Sequence, residues 1–286
     1  MKKIVSVLVA GIPINSSPVG FSGTGGKKAT KYISNSKVLE EKYFRNGTDW
    51  IRKPLVKSIK TDLELIRRDI EVQITDFQEC FVDNQDRVNS GFDEQSMLEN
   101  AKEFEQESSK FDLVIVVGGD HTGGIYLYAF DGNVIRFDEH SDSCKNPKEC
   151  ERGFIQRNNY VCSVIRNKLK NENQITGIGI REGEFVYQKG IKNNSFEKVD
   201  EKTNYIFDLD IDVFAQKYNM KSDYSKGILA PSDFIGFIRK YGPNVMGFFE
   251  IKENDKNAYE LIYQSSIEAV VQVAKKRKSI KTAKEE

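Results

Sequence analysis

Short apolar runs, each closed by turn residues, recur along the whole chain and constrain its fold more than any other feature. They are IVSVLVAGI (4–12), IEVQITDF (70–77), LVIVVGG (113–119), NVIRFD (133–138), ITGIGI (175–180), YIFDLDI (205–211) and VMGFFEI (245–251). Runs of this kind, rich in Val and Ile, read as parallel strands buried on both faces. Segments with helical spacing lie between them. In DEQSMLENAKEFEQES (93–108), Met97, Leu98, Ala101 and Phe104 fall on one helical face. NYVCSVIRNKLKN (159–171), PSDFIGFIRKYG (231–242) and NAYELIYQSSIEAVVQVAKK (257–276) read as helices too. Alternation of strand and helix predicts a single α/β domain over residues 1–274, built on a parallel sheet. The charge run KKRKSIKTAKEE (275–286) is expected to be a tail that frays into solvent.

The opening MKKIVSVLVAGIP has two lysines before an apolar run and imitates a secretory leader. It is read instead as a buried first strand, Ile4 to Ala10, followed by a turn. Lys plus Arg and Asp plus Glu are equal at 43 each, so no global basic field points to nucleic acid. No apolar stretch is long enough for a bilayer. Four cysteines, Cys80, Cys144, Cys150 and Cys162, are too few for a disulfide scaffold in 286 residues. A structural zinc among the last three is conceivable, but their spacing fits no C-x-x-C pair. Thiols in a reducing compartment, with a cytoplasmic location, are the expectation.

The chemistry sits where these strands end. GGDHT follows the third run, with Asp120 and His121, and DEHSDS follows the fourth. Asp138, His140 and Asp142 alternate there, so an extended segment would place them on one face. Asp208, Asp210 and Asp212 alternate in YIFDLDIDVF, and Glu250 follows VMGFF. Four separate strands thus deliver acids and imidazoles to their C-terminal ends, where parallel sheets collect ligands. A lone Asp after Gly-Gly is usually a turn residue, and a lone His a satisfied polar group. Carboxylates stacked near a sheet interior, however, repel one another and lose water. A multivalent cation removes both problems. Carboxylates with a minority of His suit manganese and related divalent ions, and a pair of ions acidifies water for hydrolysis.

These motifs resemble those of the ureohydrolase (arginase–agmatinase) superfamily. GGDHT resembles its Gly-Gly-Asp-His signature, DEHSD its Asp-x-His-x-Asp signature and DLDID its Asp-x-Asp signature, in the family's order. VAGIPINSSPVGFSGTGGKKA resembles its opening strand and glycine-rich loop, ITGIGIRE the strand before the third signature, and VMGFFEIKEND the strand carrying its Glu. The resemblance covers nearly the whole chain. It implies a three-layer α/β/α fold with a central, mainly parallel sheet, and two manganese ions per chain. One ion would be held by His121, Asp138, Asp142 and Asp208, the other by Asp138, His140, Asp208 and Asp210. Asp138 and Asp208 would bridge, and Asp142 would also orient the attacking hydroxide. Glu250 would hold a substrate guanidinium by a charge-assisted pair. Asp212 matches no ligand of the family and is expected to support or cap its loop. A homo-oligomer is also implied.

The chain departs from that pattern in the loop after the second signature. The family's further His, which helps to shuttle protons, is missing, because His121 and His140 are the only two histidines. Cys144 stands where arginases carry the Asn that helps hold the substrate's α-carboxylate. The Pro after the third signature is missing too. A proton route through water, or through Arg157 or Asn158, would have to serve, and both of those residues are candidates for substrate contact. The expected activity is a manganese hydrolase that cleaves a guanidino C–N bond and releases urea. Its substrate would be peptide-bound arginine or a small guanidino compound such as agmatine, rather than free arginine. Hydrolysis of a formimino group is a close variant, and a non-catalytic ligand-binding member of the family is the alternative from another class.

Overall fold

In the computed structural model, the structure describes residues 2–12, 49–63, 67, 69–77, 87–88, 91–119, 121–143, 154–155, 159–180, 203–214, 229–251 and 254–285. All seven apolar runs form strands: β1 (Lys3–Ile12), β2 (Ile70–Phe77), β5 (Leu113–Gly118), β6 (Asn133–Phe137), β8 (Ile175–Ile178), β9 (Tyr205–Asp210) and β10 (Val245–Phe249). They build one sheet in the order β2-β1-β5-β10-β9-β6-β8, and every pairing in it is parallel. Two short strands, β3 (Arg87–Val88) and β4 (Gly91–Asp93), form a small antiparallel sheet with β7 (Phe154–Ile155).

Helices cover both faces of the large sheet, which gives three layers. Alternate residues of β1 show why. Val5, Val7 and Val9 pack with Ile51, Leu55, Ile59 and Leu63 of helix α1 (49–63). The same layer holds Phe234 and Ile238 of α5 (Pro231–Tyr241), and Leu261 and Ile262 of α6 (Lys256–Glu285). Leu8, Ala10 and Ile12 point the other way. They pack with Met97, Leu98, Ala101 and Phe104 of α2 (Glu94–Ser108), the short α3 (Ile125–Tyr128) and α4 (Tyr160–Arg166). Each helix turns one apolar stripe to the sheet, as a two-sided parallel sheet requires. No helix among the described residues is long and apolar enough to cross a membrane. Cys162 is buried and forms no disulfide, while Cys80, Cys144 and Cys150 lie outside the described residues.

The structure differs from the sequence reading in three places. β2 is an edge strand whose residues alternate between shielded and exposed, so it is not buried on both faces. α1 is absent from the sequence reading. Its buried apolar stripe is Ile51, Leu55, Ile59 and Leu63, four residues apart in a charged segment that contains Pro54 and the buried Arg52. The backbone of α6 continues as helix to Glu285, through the charge run expected to fray. α5 stops at Gly242, whose left-handed φ of 54° lets its N–H cap the Ile238 carbonyl.

Candidate metal centre

The four strands that carry the sequence signatures are neighbours, β5-β10-β9-β6, in the middle of the sheet. Because they are parallel, their C-terminal ends share one edge. Past β5, His121 opens a single 3-10 turn that leads into α3. Past β10 comes Glu250, whose N–H donates to the Gly119 carbonyl at 2.7 Å. Asp208 and Asp210 lie two residues apart on β9, and Asp212 sits in the turn beyond it. Past β6 come Asp138, His140 and Asp142. All these side chains are buried except His140 and Glu250, which are partly exposed, and Asp142, which is 11% exposed.

Asp138, His140 and Asp142 do not share the face of a strand as the alternation suggested. β6 ends at Phe137, and the chain then bends. The Asp138 carboxylate accepts the N–H of His140 at 2.6 Å, and Asp142 takes a left-handed φ of 42°. Glu250 is left-handed as well, with φ 58°. A left-handed residue with a Cβ is strained, by about 1–2 kcal/mol, and such strain persists where the surroundings enforce it. The two strained acids are the two to which the sequence reading gave catalytic roles.

His121 is the hub of the site. Its Nδ1 lies 2.8 Å from Asp138 Oδ2, 2.9 Å from Asp142 Oδ2 and 3.3 Å from Asp210 Oδ2. The same atom is buried and makes no hydrogen bond; it is close to three carboxylates without the direction of a bond to any. Nε2, across the ring, lies 2.9 Å from Asp208 Oδ1, and Phe249 stacks on the ring at 5.3 Å. Phe249 reaches that position because β5 ends in Gly118, where a Cβ would lie 2.2 Å from the Phe249 ring.

Three overlapping groups can each bring ligand atoms within 4.8 Å of one another: His121 with Asp138 and Asp210, Asp138 with His140 and Asp212, and Asp210 with Asp212 and Glu250. Asp138 is common to the first two groups and could lie between two ions. The residues fit a cation pair by their chemistry. Mostly oxygen donors with two imidazoles suit manganese-like ions, and His121 Nδ1 is a buried nitrogen aimed at the carboxylates with no other partner.

Two sequence expectations change here. Asp208, expected to bridge, joins none of these groups, whereas Asp212, expected only to support its loop, joins two. DLDID contains two Asp-x-Asp frames, and the geometry gathers the second. Asp212 also fixes its surroundings. Its Oδ2 lies 2.7 Å from His140 Nδ1, and its Oδ1 accepts the Glu139 N–H at 3.1 Å. Arg157 and Asn158 lie outside the described residues.

Sequence reasoning missed Arg136. It is fully buried, pairs with Asp138, and reaches Asp142 Oδ2 at 2.7 Å and the Ser141 carbonyl at 2.5 Å. The signal was a lone cation in NVIRF, a run otherwise read as buried: a charge there needs a partner.

The electrostatics are those of a site short of positive charge. Burial pushes Asp210 well above the usual carboxylate range, with Asp212, Glu250 and Asp138 adding to it. Burial and Asp138 lift Asp212 to about 6, against the pull of His140. Burial and Asp138 raise Asp142 too. Hydrogen bonds to Asp138 and Asp212 carry His140 up to about 11. Burial alone would lower the pKa of His121, but Tyr160, Asp208 and Asp138 raise it well above the ordinary value. Asp138 and Asp208 go the other way: burial raises them, but Arg136 and His121 outweigh it and hold both below the usual range. Protons thus sit on the other members of the cluster, and ions binding there would displace them.

No family model matches the chain, and no curated protein matches it in sequence. Solved structures do match. A hypothetical agmatinase from Burkholderia thailandensis aligns with a TM-score of 0.60 at 14% identity, over 96% of this chain and 87% of that one. Formimidoylglutamase from Bacillus subtilis aligns with a TM-score of 0.62 at 11% identity, over 96% and 88%. Arginase from Bacillus subtilis aligns with a TM-score of 0.54 at 16% identity, over 94% and 98%. The chain has the arginase fold over nearly its full length.

Proposed function

We propose that the chain is a divergent member of the ureohydrolase superfamily, a two-metal hydrolase that cleaves a C–N bond of a guanidino group. The observation that carries this reading is the sharing of Asp138 between two donor groups, beside the carboxylate of Glu250. We assign His121, Asp138, Asp142 and Asp210 to one ion and Asp138, His140, Asp210 and Asp212 to the other. Bound there, two manganese ions would supply Lewis-acid polarisation and acidify a water at neutral pH.

The chain's own residues do the rest. Glu250 is partly exposed and lies within reach of Asp210 and Asp212, so its carboxylate can take a guanidinium in a charge-assisted pair and turn the carbon toward the acids. Asp142 Oδ2 lies 2.9 Å from His121 Nδ1, so this carboxylate stands where it can take a proton from the attacking water and return it to the leaving nitrogen. This gives the chain a proton carrier where the family's additional His is missing. The likeness to formimidoylglutamase supports a second reading, in which a formimino group takes the guanidinium's place. Its planar cation would meet Glu250 in the same way.

The test is a manganese-loaded screen against free arginine, Nα-blocked arginine, an arginine-containing peptide, agmatine and a formimino amino acid. Urea from a guanidino compound supports the first reading, and formamide from the last supports the second. Metal binding with no turnover of any compound would leave a non-catalytic binding protein.

A further inference from the structure

The geometry points to Asp208 as the residue that positions His121 for metal binding, an outer carboxylate rather than a ligand; the inference rests on the two-metal reading above. Asp208 is fully buried, and both of its oxygens are engaged away from the donor groups. Oδ1 meets His121 Nε2 at 2.9 Å. Oδ2 accepts the Tyr128 hydroxyl at 2.9 Å and the Tyr160 hydroxyl at 2.8 Å. The Tyr160 hydroxyl also lies 3.1 Å from His121 Nε2, so the tyrosine touches both members of the pair. The guanidinium of Arg136 approaches from the side, with Nε 3.8 Å from Asp208 Oδ2 and 3.2 Å from the Tyr160 hydroxyl.

An imidazole that donates its N–H to a carboxylate on one side presents a lone pair on the other. Such outer carboxylates fix the tautomer and the ring angle, and they raise ligand basicity. Asp208 does this at Nε2, so Nδ1 is left facing Asp138, Asp142 and Asp210. Phe249 stacks on the ring. Gly124 leaves room for the contact: a Cβ there would lie 3.1 Å from Asp208 Oδ1 and 3.0 Å from the Tyr160 hydroxyl. Arg136 offsets the charge of an acid that no ion would reach.

The experiment compares the wild-type chain, Asp208→Asn and Tyr160→Phe by manganese titration calorimetry. Anomalous diffraction at limiting manganese then shows which position empties. We expect Asp208→Asn to keep a capacity of two ions but to bind the ion at His121 about 10–100-fold more weakly, with the position at His140 unchanged. Tyr160→Phe should shift the same position in the same direction by less, and it keeps the test open if Asp208→Asn does not fold. Loss of one whole equivalent in Asp208→Asn would make Asp208 a ligand and overturn the inference. So would reduced thermal stability with both affinities intact, which is the signature of a merely structural acid. If the wild-type chain binds no metal, the two-metal reading itself fails.

Discussion

Asp212→Asn separates what the site needs from what the fold tolerates. The Asp212 side chain is only 3% exposed, and its carboxyl is carried from 3.8 to about 6 by burial and by Asp138. Each pKa unit corresponds to about 1.4 kcal/mol. A rise of roughly two units therefore makes the ionised side chain about 3 kcal/mol less favourable in the fold than in the unfolded chain. The sign follows from the direction of the shift. A raised acid contributes stability below pH 3.8 and loses it as pH climbs through about 6. Asn keeps the shape and never ionises, and His140 retains Asp138 as a partner at 3.7 Å. After chelation, Asp212→Asn should match the wild type near pH 4 and melt on the order of 5–10 °C higher above pH 6. Adding manganese should reverse the order, because the wild type gains an ion at His140 that the variant holds poorly. Scanning calorimetry across pH, with and without metal, reads both effects. A chelated variant that melts at or below the wild type above pH 6 would show that ionised Asp212 does not strain the metal-free fold.

Glu250→Gln should leave manganese binding intact and abolish hydrolysis, because shape is kept while the charge facing a guanidinium is lost; unchanged turnover by the metal-loaded variant would remove Glu250 from that role. His140, raised to about 11 in the metal-free protein, contributes stability below pH 6.5 that is lost as pH rises toward 11, and a metal needs it neutral. Manganese affinity should accordingly rise with pH, with protons released on binding, and titration in buffers of different ionisation enthalpy will count them. Gly118→Ala would set a Cβ 2.2 Å from the Phe249 ring; the overpacking should cost about 1–3 kcal/mol, and an unshifted melting temperature would show that Phe249 can move aside. Urea release from blocked arginine or agmatine is expected to exceed that from free arginine, since the resemblance sets Cys144 at the position where arginases carry the carboxylate-binding Asn; a tenfold preference for free arginine, about 1.4 kcal/mol of transition-state discrimination, would contradict this.

The strands were legible because a strand covered on both sides is mainly apolar, as LVIVV and IVSVLVA are, and because each run is closed by turn residues. β2 was misread as fully covered, since one run cannot show that its neighbour on one side is missing. α1 escaped because its stripe is one residue per turn, Ile51, Leu55, Ile59 and Leu63, among Lys and Arg. That the signature acids and histidines gather at one edge of the sheet was legible in the sequence, because each signature stands at the end of a strand. Asp208 with Asp210 and Asp210 with Asp212 both satisfy the pleat, so the sequence alone does not choose the frame. The proposed frame follows strand length: β9 ends at Asp210, and Asp212 sits in the turn beyond it. The same effect undid the expected alternation at Asp138, His140 and Asp142, where β6 stops at Phe137.

The proposed pair of ions would lie at the C-terminal edge of β5, β10, β9 and β6, with Asp138 between them. Anomalous diffraction from manganese-loaded crystals tests it most directly. Two peaks roughly 3.5 Å apart are expected, one against His121, Asp138 and Asp210 and the other against Asp138, His140 and Asp212. No peak at that edge, or a peak coordinated by Asp208 with Asp212 left out, would contradict it.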